Sequence, residues 1–163
     1  MGVEVVNPNG IYKPKTYFQA SVSSGTRIIS LAGQVAIDEH GTVVGAGDLS
    51  AQTDRAYRNV FLALQDLGAS FSDIAKLTVY VVDWSPSKME FLISGAMRAA
   101  EDLGFDHRRP LTLVGVTGLA DSTWLVEVEA LAVLRKPMTP NPSIERTSSG
   151  RLRLPTAAAH DER

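Results

Sequence analysis

The sequence predicts an α+β domain in which two helices cover one face of a mixed sheet, in the order β-β-(β)-α-β-α-β-β. Three observations predict it. Two segments carry apolar residues at three- and four-residue spacing between recognisable helix start and stop signals. The segments around them are short, rich in β-branched residues and bounded by Gly, Ser and Asp turns. The last of these alternates, so that Leu125, Glu127, Glu129 and Leu131 share one face of a strand and Val126, Val128, Ala130 and Ala132 the other.

Taken in order, Tyr17 to Ser24 and Arg27 to Gln34 are β-like runs, and Ser24-Gly25-Thr26 between them predicts a hairpin. A short strand at Thr42 to Val44 follows. Asp48 or Ser50 can cap a helix whose stripe is Leu49, Ala56, Val60, Ala63, Leu64 and Leu67, ending at Gly68. Ile74 to Asp83 reads as a buried strand. Ser85-Pro86 supplies an N-cap followed by proline at the first helical position of a second helix, with Met89, Ile93, Ala96, Met97, Ala100 and Leu103 on its apolar face before Gly104. Leu111 to Val116 and Trp124 to Leu134 are the remaining strands, with turn chemistry at Thr117-Gly118 and Asp121-Ser122.

The chain has 163 residues, 44% hydrophobic and 21% charged, which is enough for one domain with a proper core, placed at 1–135. From 136 to 163 prolines are scattered among Ser, Thr, Arg and Asn without an apolar period, the composition of a disordered tail. A net charge of −2 and a pI near 5.9 give no reason to expect nucleic acid or an anionic membrane as partner. There is no cysteine, hence no thiolate nucleophile and no disulfide framework. No signal-like start and no membrane-length apolar run is present, and a cytoplasmic protein is expected. His40, His107 and His160 are isolated, so no metal site and no cofactor are expected. Gly45-Ala46-Gly47-Asp48 reads as a turn and cap rather than a phosphate loop, and no serine sits in a nucleophile elbow.

Two readings of the last strand stay open on its own evidence. Glutamates on one face are what an edge strand shows when that face meets water, and equally what a carboxylate site would need. The face is too apolar at Leu125 and Leu131 for free solvent, and self-association would cover it.

Five stretches together resemble the YjgF/YER057c/UK114 family, whose RidA branch deaminates reactive enamines and imines. They are Tyr17-Phe18-Gln19-Ala20, Ala32-Gly33-Gln34, Ala51-Gln52-Thr53, Lys76 to Asp83, and Val126-Glu127-Val128-Glu129-Ala130, and the resemblance covers about Val5 to Leu134. It implies a homotrimer of chorismate-mutase-like subunits with clefts at the subunit interfaces. By the resemblance Glu127 positions the attacking water, and Tyr17 with the backbone at Ala32 and Gly33 lines the cleft. The arginine that binds the substrate carboxylate in RidA falls on Leu111, which cannot pair with an anion. Arg108 and Arg109 lie just upstream, with Arg109 the candidate for reaching the cleft. The polar position of the second helix falls near Phe91, which makes the cleft more apolar, and Trp84 either adds to that or packs as core.

The resemblance implies hydrolytic deamination of a small enamine or imine. The alternative is a non-catalytic trimer that binds a small molecule or a protein. Endoribonuclease activity, a third reading, is disfavoured by the acidic balance and by the lack of interleaved aromatic and basic residues.

Overall fold

The structure is a computed structural model and describes residues 2–135, so the tail at 136–163 and His160 lie outside the described residues. Six strands and two helices follow in the order β1 (Val3–Val6), β2 (Ala20–Ser23), β3 (Arg27–Gln34), α1 (Leu49–Asp66), β4 (Ile74–Val82), α2 (Met89–Leu103), β5 (Leu111–Val116) and β6 (Val126–Leu134). One 3₁₀ turn, Phe71–Asp73, leads into β4 and another, Pro86–Lys88, leads into α2.

The main sheet has the order β3-β6-β4-β5. β6 is antiparallel to both neighbours, while β4 and β5 run parallel and are joined by α2 as a crossover. Alternation along β6 is strict: Val126, Val128, Ala130, Ala132 and Leu134 are buried, with Glu127 and Glu129 on the opposite face. On β4, Leu77, Val79 and Val81 point the same way as the apolar set of β6, and both helices cover that face. The expected layer of two helices on one side of a mixed sheet is what forms.

The helix ends follow their sequence signals. Asp48 accepts a hydrogen bond from the Ala51 N–H at 3.0 Å, and Gly104 closes α2 in the left-handed region at φ 70°. The hydroxyl of Ser85, the residue expected to cap the second helix, instead meets that of Ser87 at 2.9 Å, ahead of the proline-led 3₁₀ turn.

The predicted hairpin does not form. β2 pairs with β1, in a register from Val3 opposite Ser23 to Val6 opposite Ala20, and β3 pairs with β6. Ser24-Gly25-Thr26 carries the chain from one sheet to the other: the Ser24 N–H donates to Gly2 at 2.8 Å and the Thr26 N–H to Leu134 at 3.0 Å. Both strands find partners distant in sequence, a competition that local turn chemistry does not reveal. The short strand expected at Thr42 to Val44 reduces to a single bridge between Ile37 and Val43, with Asp38 accepting from the His40 and Thr42 N–H groups.

The helices cross closely at Gly95. A Cβ there would lie 2.7 Å from the Cβ of Thr53 and 2.9 Å from the backbone nitrogen of Asp54. Because a backbone atom is among the obstacles, a side chain cannot rotate out of the way. Gly95→Ala is therefore expected to lower stability by about 1–3 kcal/mol, overriding alanine's better helix propensity, as a reduced urea midpoint with an unchanged m-value.

Candidate functional site

Glu127 with Gly33, and Tyr17 with Leu111, form two sets on opposite faces of the main sheet, while Arg109 and Phe91 belong to neither. The first is on the face without helices. β3 pairs with β6 at Leu31 opposite Ala130 and next at Gln34 opposite Val128, so three steps along β3 match two along β6. The extra residue is a β-bulge, a device that re-aims side chains and backbone beside functional sites. Here it brings Gly33 against Glu127: a Cβ built on Gly33 would lie 2.6 Å from the Glu127 Cγ and closer still to the carboxylate. Glycine alone leaves that seat open. The Gln34 side-chain amide donates to the Ala32 carbonyl at 3.0 Å, bracing the bulge.

Across β6, Tyr80 stands opposite Glu127 and Thr78 opposite Glu129. The Tyr80 hydroxyl donates to Oε2 of Glu129 at 3.0 Å. This hydrogen bond raises the phenol's pKa, and burial and the negative charges of Glu129 and Glu127 add to the effect. A hollow beside Glu129 is lined by Ser30, Lys76, Thr78 and Leu131. The surface thus offers one carboxylate set on bare backbone and a second tied to a phenol, a donor and acceptor pattern suited to orienting water or a small polar group.

The second set lies on the helix side. A cavity of about 260 Å³ opens between the β4–β5 edge and α2, and Tyr17, Tyr57, Leu92, Ile93, Leu111 and Leu113 form much of its lining. Leu111 faces the helices because it pairs with Leu77, which is fully buried on that side. Tyr17 and Leu111 therefore meet here, whereas Glu127 and Gly33 do not line this space. Phe91 is 47% exposed and stands outside it; α2 contributes Met89, Leu92, Ile93 and Ala96 instead. Trp84 packs over Gly115 and against the core.

Neither upstream arginine reaches Glu127. The Arg108 guanidinium forks onto Asp106, with Nη2 at 2.8 Å, and lies 5.7 Å from the centre of the Phe18 ring. That fork pulls the Asp106 pKa down to about 2. Arg109 is buried at 8% exposure rather than solvated, and its Nε has no acceptor among the described residues. Burial lowers its pKa, against the attraction of Asp106 and Asp73. It borders neither the cavity nor the hollow beside Glu129. Among the described residues no group of three His, Asp or Glu could hold a metal ion, and no helix is long and apolar enough to cross a membrane.

Tyr80, Tyr57 and His107 are among the polar members of these two places that the sequence did not mark as site residues. Period-2 alternation from Thr78 would have put Tyr80 on the glutamate face. No comparable signal points to Tyr57, which sits beside Ala56 within an ordinary apolar stripe.

A family model described as Endoribonuclease L-PSP matches residues 10–134. A Rid family protein of unknown function from Yersinia pestis has a similar solved structure, with a TM-score of 0.72 and 34% identity, covering 82% of this chain and 100% of that one. A RutC family protein of Pyrococcus abyssi is 29% identical over 133 residues, 81% of this chain and 98% of its own. The 3-aminoacrylate deaminase RutC of Acinetobacter baylyi is 24% identical over 132 residues, again 81% of this chain and 98% of its own.

The Tyr80–Glu129 pair is open to direct test. The protonated phenol is the donor, so its contribution to stability is complete below the ordinary tyrosine value of about 10 and is lost as pH rises through the raised folded-state pKa. Ultraviolet difference titration, with Tyr80→Phe as the blank, is expected to show Tyr80 ionising at lower pH in Glu129→Gln than in the parent protein.

Proposed function

The chain belongs to the YjgF/Rid family, and from that membership we propose that it is a cytoplasmic hydrolase that deaminates a small enamine or imine. The observation that carries this reading is the Glu127 carboxylate seated on the bare backbone of Gly33, with Tyr80 and Glu129 beside it. The name of the Acinetobacter relative, a 3-aminoacrylate deaminase, supports the substrate class. In this mechanism an enamine reacts as its imine tautomer. Glu127 orients a water molecule and takes its proton as the oxygen bonds to the imine carbon. That proton passes to the imine nitrogen to give the carbinolamine, which collapses as Glu127 carries the hydroxyl proton to the same nitrogen: the C–N bond breaks, ammonia leaves and the C–O bond becomes C=O. No cofactor is required by this balance.

A substrate that touches both sets of residues needs two copies of the chain, because Tyr17 and Leu111 lie across the sheet from Glu127. The reading therefore includes a homotrimer with clefts between subunits, assembled through the face that carries Ile28 at 71% and Leu131 at 39% exposure. Leu111 favours a second reading, a small-molecule-binding trimer without turnover, since it removes the cation that a carboxylate substrate would need.

Turnover is tested by generating 2-aminoacrylate or 2-iminobutanoate with a pyridoxal-phosphate dehydratase and measuring its capture by semicarbazide. The protein is expected to lower capture in proportion to its concentration, and Glu127→Gln to lose about 10²–10⁴ of the rate with assembly intact. Lowered capture that persists in full with Glu127→Gln removes the mechanism, and ligand stabilisation without turnover on any imine selects the second reading. Assembly has its own test: Leu131→Glu is expected to shift the sedimentation coefficient from that of a trimer to that of a single chain.

A further inference from the structure

The helix-side cavity contains a polar group that its apolar walls do not explain. Tyr57 is 4% exposed and its ring lies 6.0 Å from that of Phe71, yet its hydroxyl makes no hydrogen bond among the described residues. The hydroxyl is nonetheless open to water at the cavity, and a ligand group that displaces that water takes over its hydrogen bond. Burial pushes its pKa up and keeps it a neutral donor. The nearby Thr53 hydroxyl is already committed to the Leu49 carbonyl at 2.7 Å. His107 also borders the cavity, and burial lowers its pKa, which favours the neutral imidazole.

Neither lysine nor arginine lines this space. An anionic group entering it would lose its hydration without gaining a cation, whereas an apolar group gains by leaving water. At about 260 Å³ the cavity exceeds the roughly 150 Å³ of an apolar cavity that accepts a benzene ring. We propose that it binds the uncharged apolar body of a ligand, a ring or a branched chain, with one hydrogen-bonding group on that body meeting the Tyr57 hydroxyl. The inference rests on the deaminase reading only in taking that ligand to be the substrate; binding itself does not involve Glu127.

Calorimetric titration of the full chain with benzyl alcohol, toluene and benzoate tests the proposal. Benzyl alcohol is expected to bind about tenfold more tightly than benzoate, and Ala96→Leu, which fills the cavity, to weaken it by about tenfold or more. Tyr57→Phe keeps the ring and removes the hydroxyl; it is expected to bring benzyl alcohol to the affinity of toluene, and it decides the matter if Ala96→Leu does not fold. Benzoate binding as tightly as benzyl alcohol, or benzyl alcohol affinity unchanged in folded Ala96→Leu and Tyr57→Phe, overturns the proposal. Glu127→Gln is expected to bind benzyl alcohol normally. Glu127-dependent turnover without binding of any neutral probe would overturn this inference and leave the deaminase reading standing, and neutral-probe binding without turnover would do the reverse.

Discussion

β6 is hydrogen-bonded on both sides, to β3 and β4, and its alternation divides the molecule: Val126, Val128, Ala130, Ala132 and Leu134 enter the core under the helices while Glu127 and Glu129 face the other way. A slip of one residue would turn both carboxylates into that core and the apolar set outward. Burying an unpaired carboxylate costs several kcal/mol, and each valine withdrawn from the core forfeits about 1.5–3 kcal/mol, so the register is held from both directions. α1 holds it from above. Gln52, fully buried, accepts from the Leu125 N–H at 2.8 Å and donates to the Thr123 carbonyl at 2.9 Å, tying the entry of β6 to the helix.

The same helix reaches the other wall of the glutamate site. Asn59 donates to the carbonyls of Val35 and Ile37, both at 2.9 Å, and Arg55 to that of Ile37 at 3.0 Å. The backbone leaving β3 is thus satisfied although it is not in a sheet ladder. The bulge that precedes it can then present Gly33 to Glu127. The geometry of the open face thus rests on polar braces supplied by the covered one.

The two faces offer different environments. The glutamate face combines carboxylates, a phenol and a glycine backbone, groups that handle water and protons. The helix-side cavity is apolar, with hydroxyls and a histidine in place of cations. Leu111 belongs to the second environment by the parity of β5, and with it the expected carboxylate anchor gives way to an apolar wall. Within one chain Arg109 is buried and borders neither place.

The sequence on its own was a sound guide where local period governs and at the helix ends marked by Asp48 and Gly104, though not at Ser85. The helices from their stripes and from Asp48 and Gly104, the buried β4, the two-faced β6 and the family stretches through Glu127 were all legible, because i+4 and i+2 neighbours lie close along the chain. Tertiary structure decided which strands pair, replacing the expected hairpin by β1–β2 and β3–β6, because sheet partners are chosen by distant edges. It also decided that Tyr17 and Leu111 sit across the sheet from Glu127, that Phe91 stands outside the cavity, and that Tyr57 borders it. Those relations arise where separate elements pack against one another, and no spacing within a single element encodes them.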